Sequence, residues 1–143
     1  GQLVLSGTTE SIDKFSLDLI DNKIKNIKLS VSAPFHCKLM NSATKIMKNE
    51  IQKLHFKDFK NKLISNVTAK EIDNKNMIKE LLIEQIESRV RWRESVKYMI
   101  GNGTKTFVEI GPGKVLSGLI KRINKEVKVL NIDAVEDIQD IKI

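Results

Sequence analysis

The segment from Phe107 to Ile132 most narrows what this chain can fold into. Phe107-Val108-Glu109-Ile110 is a short apolar run, Gly111-Pro112-Gly113 breaks it, and Val115, Leu116, Leu119 and Ile120 then recur at helical spacing between Lys114 and Ile123. Val127 to Ile132 is a second run of strand type. A strand, a tight turn, a helix and another strand form a crossover, which sets its two strands in one parallel sheet. The glycines permit the sharp backbone path out of the first strand. Neither the Gly-x-x-x-x-Gly-Lys-Ser/Thr pattern of a phosphate loop nor the Gly-x-Gly-x-x-Gly pattern of a dinucleotide loop is met. A turn of this kind can still shape a pocket at the carboxyl edge of a sheet.

The rest of the chain repeats the alternation. Gln2 to Ser6 reads as a strand closed by Gly7, and Thr8-Thr9-Glu10-Ser11 carries the helix-start signature of a threonine followed by an acid. Ile12, Phe15, Leu19 and Ile20 predict a helix to about Asn22 with one buried face. Ile27, Leu29 and Val31 alternate with polar residues as a half-buried strand does. Residues 39–54 predict a helix carrying Leu39, Ile46, Met47, Ile51 and Leu54 inward. Leu63 to Val67 is a further strand candidate, and residues 75–87 predict a helix with Met77, Ile78, Leu81, Leu82 and Ile86 inward. Trp92 opens a helix through Ile100 that Gly101-Asn102-Gly103 stops, and a final helical turn follows the last strand. Strands alternating with helices define an α/β fold with a largely parallel sheet. The chain starts at Gly1-Gln2 without an initiating Met and enters a strand at once, as a cut piece does.

Composition excludes more than it selects. At 143 residues and 41% hydrophobic the chain is long enough for a real core. It has no long apolar run and no leader pattern, so a soluble, cytoplasmic protein without a membrane partner is expected. The single cysteine, Cys37, rules out an internal disulfide and has no neighbours at zinc-site spacing, so no metal and no cofactor are expected. The formal charge of +7 favours acidic or phosphate-bearing partners. Its lysines are mixed with acids and aromatics make up only 5%, so nucleic acid is not expected to be a partner.

The chemistry concentrates in Val31-Ser32-Ala33-Pro34-Phe35-His36-Cys37. A short strand that runs into a rigid X-Pro turn can hold an imidazole at a sheet edge, where it takes a proton from a nucleophile supplied elsewhere. Cys37 is a poor candidate for that nucleophile, because neighbouring side chains on an extended segment point to opposite faces. His55, just past a helix end, reads as a solvated or capping residue. The chain contains no Gly-x-Ser-x-Gly elbow and no acid at an obvious triad position. It therefore carries a base without a nucleophile.

Four blocks in order resemble the malonyl-CoA:acyl carrier protein transacylases, a resemblance that spans Gly1 to about Ile123. They are Gly1-Gln2-Leu3-Val4-Leu5-Ser6-Gly7, Val31 to Met40, Val90-Arg91-Trp92 with Ser95-Val96-x-Tyr98-Met99, and Val108-Glu109-Ile110-Gly111-Pro112-Gly113-Lys114-Val115-Leu116 with Lys121-Arg122-Ile123. The resemblance implies a C-terminal portion of such an enzyme. Residues 1–33 are then the last strand-helix-strand of a ferredoxin-like small subdomain, and residues 34–143 the C-terminal part of an α/β-hydrolase-like acyltransferase core.

The implied activity is that of an [acyl-carrier-protein] S-malonyltransferase of fatty acid biosynthesis, a ping-pong transfer through a serine nucleophile and a histidine base. His36 is then the general acid/base, the backbone carbonyl of Arg91 orients it, and Phe35 bears on acyl selectivity by crowding an α-methyl group. Asn66 matches an asparagine near the site in relatives and reads equally well as a turn cap. Implied partners are malonyl-CoA, the phosphopantetheinyl acyl carrier protein and an N-terminal acyltransferase half. The serine elbow, the oxyanion-hole glutamine and the arginine that grips the malonyl carboxylate lie upstream of Gly1 in that family. Arg89 stands where a proline is usual. The chain alone is thus expected not to turn over, and a non-catalytic remnant or carrier-protein-binding module is the second reading.

Overall fold

Thr8 starts the first helix: its hydroxyl accepts the Ser11 N–H at 3.2 Å from an extended N-cap, and α1 runs over Thr9–Asp21. The computed structural model describes residues 2–140 of the chain, which fall into two compact units, Gln2–Val90 and Arg91 onward. The first unit holds α1, a 3-10 turn at Lys38–Met40 leading into α2 (Asn41–Lys53), and a 3-10 turn at Lys75–Met77 leading into α3 (Ile78–Glu87). The second holds α4 (Trp92–Gly101), β1 (Thr106–Ile110), α5 (Val115–Ile123), β2 (Lys128–Ile132) and α6 (Asp137–Asp140). No helix among the described residues is long and apolar enough to cross a membrane.

β1 and β2 pair in parallel, from Thr106 opposite Lys128 to Ile110 opposite Ile132, with α5 as the crossover. Val96, Phe107, Ile120 and Val127 form the core of this unit, one residue from each of its main elements or their edges, and Val96 is fully buried. In the first unit α2 packs on α3, and Ile72, Ile78 and Leu81 are enclosed with Phe56, Phe59 and Val67 against them.

Segments 2–6 and 27–31 are not strands, and at 63–67 only an isolated antiparallel bridge from Ile64 to Glu71 forms. A strand exists only as half of a ladder, and these segments have no paired neighbour among the described residues. The apolar faces behave likewise. On α1 none of Ile12, Phe15, Leu19 and Ile20 is buried, and on α2 only Ile51 is. Periodicity marks which face can be buried; burial itself needs an opposing surface.

Glu109 organises the turn after β1. Its Oε1 accepts the Leu116 N–H at 3.0 Å and its Oε2 the Ser117 N–H at 2.7 Å, which satisfies the exposed donors in the first turn of α5. Lys114, the N-cap residue of α5, makes no side-chain cap of its own. β2 holds the rest of the turn: Asn131 donates to the Gly113 carbonyl at 2.9 Å, Asp133 accepts the Gly113 N–H at 3.0 Å, and Ile132 accepts the Gly111 N–H at 2.9 Å. Gly111 and Gly113 have φ of 130° and 89°, which strain any residue with a Cβ.

α1 and α4 end in the same way. Lys23 N–H reaches the Ile20 carbonyl and Ile24 N–H the Leu19 carbonyl at 2.8 Å each, while Gly103 N–H and Thr104 N–H reach Ile100 and Met99 at 2.9 and 3.0 Å. In both motifs the first residue past the cap is left-handed, with φ of 58° at Lys23 and 93° at Gly103. Only the second site has the residue that takes this conformation without strain. Lys23→Gly is therefore expected to stabilise the first unit by about 1 kcal/mol, read as a higher midpoint in urea unfolding.

Hydrogen bonding holds the Glu109 carboxyl below its ordinary value, the Ser117 hydroxyl first, opposed by partial desolvation and reinforced by the Ser117 and Leu116 amides. A carboxyl lowered in the folded state contributes stability above its unfolded value and loses it as pH falls through the folded value. Glu109→Gln is expected to lower stability near neutrality and to flatten its decline into acid, measured by urea midpoints across that range.

Candidate active site

Pro34 and the residues around it make a tight corner. Phe35 N–H donates to the Ala33 carbonyl at 3.0 Å, and the Cys37 thiol donates to the Pro34 carbonyl at 3.1 Å. Between them His36 stands in the left-handed region at φ 61°. Few residues with a Cβ adopt it, and strain of this kind persists only where the surroundings impose it. Met40 N–H then donates to the Cys37 carbonyl at 3.0 Å, and the 3-10 turn leads into α2.

What holds the imidazole is a main-chain carbonyl. His36 Nδ1 lies 3.0 Å from the Gln85 carbonyl oxygen, which can only accept, so Nδ1 carries the proton and Nε2 has the free lone pair. Gln85 lies in the last turn of α3, where helix carbonyls lose their internal partners. Two further bonds tie this end of α3. Asn41 Nδ2 donates to Glu87 Oε1 at 3.1 Å, and Asn66 Nδ2 donates to Gln85 Oε1 at 3.1 Å.

The carbonyl on His36 therefore belongs to Gln85, where the resemblance assigned the role to Arg91. Arg91 is the N-cap of α4, and its carbonyl accepts both the N–H and the hydroxyl of Ser95, each at 2.9 Å. An N-cap carbonyl takes the first bond of its own helix, whereas one in a final turn is free to take a side chain. Sequence reasoning missed Gln85 because a backbone carbonyl has no residue-type signature; the end of the amphipathic run at 75–87 was the one available clue.

The other expected residues sit as follows. Phe35 is 46% exposed and His36 is exposed beside it. Cys37 is half-buried, its thiol engaged in the corner. His55 follows α2 on the surface, lining a shallow cleft of about 310 Å³ with Phe56 and Lys79 that does not include His36. Among the described residues no cluster of His, Cys, Asp and Glu is placed to hold a metal ion.

An exposed imidazole with its tautomer set by a carbonyl is a base of the kind acyltransferases pair with a nucleophile. No family model matches the chain. Comparison with known proteins is specific nonetheless. A malonyl CoA-acyl carrier protein transacylase of Bacillus subtilis is 43% identical over 140 residues, which are 97% of this chain and 44% of that protein. The crystal structure of an acyl-carrier-protein-S-malonyltransferase from Bartonella henselae superposes with a TM-score of 0.87 at 36% identity, over 94% of this chain and 43% of that one. A malonyl-transacylase solved in complex with its type II PKS acyl-carrier protein superposes with a TM-score of 0.85 at 29% identity, over 93% and 44%. In sequence and in fold this chain is similar to malonyl CoA-acyl carrier protein transacylases, and it spans under half the length of those it matches.

The left-handed backbone at His36 is separable from its side chain. His36→Gly and His36→Ala lose the same bond to Gln85, but only alanine retains the strain. His36→Gly is expected to be the more stable of the two by about 1 kcal/mol in chemical unfolding.

Proposed function

We propose that this chain is the histidine-bearing C-terminal portion of a malonyl-CoA:ACP S-malonyltransferase of fatty acid biosynthesis, working in the cytoplasm. The observation that carries the reading is the His36 imidazole held through Nδ1 by a carbonyl, with Nε2 open to solvent. A carboxylate partner is not needed in this arrangement, which accounts for a base with no triad acid in the chain.

The reaction divides accordingly. A serine oxygen supplied from outside residues 1–143 attacks the malonyl thioester carbon, and His36 Nε2 takes its proton. The same nitrogen returns the proton to the CoA sulfur as the C–S bond breaks. The phosphopantetheine thiol of the acyl carrier protein then reverses the sequence, giving its proton to His36 as it takes the malonyl group. Nothing in the transfer calls for a metal or a cofactor. Phe35, next to His36 and partly exposed, is placed to bear on the acyl chain. A solved relative is a malonyl-transacylase in complex with its acyl-carrier protein, which supports a carrier protein as partner here.

The division at residue 33 between a ferredoxin-like small subdomain and an α/β-hydrolase-like core belongs to this reading. So does an N-terminal acyltransferase half as partner. Leu3, Val4, Leu5, Ile27, Leu29 and Val31 are all at least half exposed, an apolar surface suited to further strands.

The test mixes the chain with the N-terminal half of a related transacylase, malonyl-CoA and holo carrier protein, and follows malonyl transfer by intact mass. Transfer is expected in the mixture and not with the chain alone. His36→Ala in the same mixture is expected to lower the rate by about 10²-fold or more. Near-normal turnover by that variant refutes the role of His36.

A further inference from the structure

We propose that Asn66 is a positioning residue for His36, acting through Gln85. Its side-chain amide holds the Gln85 side chain, which keeps the Gln85 carbonyl on His36 Nδ1 and leaves Nε2 free to accept a proton. The proposal rests on the reading of His36 as the base.

The carbonyl that orients His36 sits in the part of a helix least able to hold itself. The last turn has no internal bonds for its carbonyls and is where helices fray. Ser88 N–H still reaches the Glu84 carbonyl at 3.0 Å, but Gln85 is beyond the last such closure at this end. A brace from outside the helix is needed if the ring is to keep one orientation. Asn66 supplies it, with Nδ2 3.1 Å from Gln85 Oε1.

The brace is itself anchored. Buried Ser65 accepts the Val67 and Thr68 N–H groups on its hydroxyl at 3.1 and 3.3 Å, Ser65 N–H donates to the Lys70 carbonyl at 2.9 Å, and Ala69 N–H donates to the Ser65 carbonyl at 2.9 Å. Ile72 N–H closes the loop on Leu63 at 2.8 Å. Buried Ala69 takes φ 56°, a second strained residue in the same unit as His36. Because Ser65 already caps this turn, the Asn66 side chain is released from that duty and points its donor at α3. Ile72 shares a core with Ile78 and Leu81, so the turn and the helix it braces move as one body. The relay thus runs from a buried hydroxyl turn through Asn66 and Gln85 to the imidazole.

The experiment reads the tautomer of His36 in the 143-residue chain by ¹⁵N NMR above the imidazole pKa, with His55 as internal reference. Wild type is expected to be mainly the Nδ1–H form. Asn66→Ala and Gln85→Ala, which keeps the carbonyl, are each expected to shift the ratio toward Nε2–H by about fivefold, the size of one net hydrogen bond. The double variant is expected to match either single, since both cut one relay. Asn66→Asp is expected to retain the wild-type ratio, because the Gln85 amide can turn and donate to it. His55 should not move in any of them.

An unchanged ratio in Asn66→Ala, or additive effects of the two alanine variants, overturns the proposal. If Asn66→Ala does not fold, Gln85→Ala with a wild-type ratio overturns it equally. No acyl transfer is needed for this readout. A chain with the expected tautomers that never supports transfer in the reconstituted mixture rejects the acyltransferase reading and leaves the relay standing.

Discussion

An α-helix of ten residues ends with carbonyls it cannot satisfy, and in this chain one of them is taken by an imidazole. That bond decides which ring nitrogen holds the proton and which way the other faces. A neutral main-chain acceptor sets the tautomer without adding a charge to the site. The corner at Pro34, the left-handed backbone at His36, the packing of α2 on α3 and the turn around Ser65 all serve to bring Nδ1 and the Gln85 oxygen to 3.0 Å. Remove the helix end and His36 becomes an ordinary surface histidine.

The second unit uses the opposite helix end in the opposite sense. There the first turn of α5 presents N–H groups, and the Glu109 carboxylate from β1 accepts two of them. Asn131 and Asp133, in and just after β2, hold the glycine turn between. In both units a polar group from elsewhere in the chain completes a helix that its own cap residues leave open. The long-range bonds that result tie secondary elements together more specifically than their apolar contacts do, because a hydrogen bond constrains direction as well as distance.

Much of this was legible beforehand. Each helix falls within a residue or two of its apolar repeat, and the two strands flanking α5 appear where the runs at 107–110 and 127–132 place them. His36 stood out because a proline corner and a lone imidazole mean something together. Three parts were not legible. Segments 2–6 and 27–31 have the composition of strands but no partner among the described residues, and a ladder cannot be inferred from one side. The apolar faces of α1 and α2 are real, yet most of their residues stay exposed. Gln85 escaped because its contribution is a backbone atom, and Arg91 was chosen in its place although the start of α4 was already visible at Trp92.

The sequence by itself determined the local order of the chain: where helices begin and stop, where glycine must stand in the turns, and that a histidine follows a proline corner. These depend on neighbours within a turn or two, and residue type is enough to read them. Only the tertiary structure decided which carbonyl meets His36, that Asn66 braces Gln85 rather than its own turn, and that Glu109 caps α5 from the strand before it. The residues in the first two contacts lie far apart along the chain, and all three contacts depend on distances of a few tenths of an ångström. Such distances are set by the packing of whole elements, which no local pattern encodes.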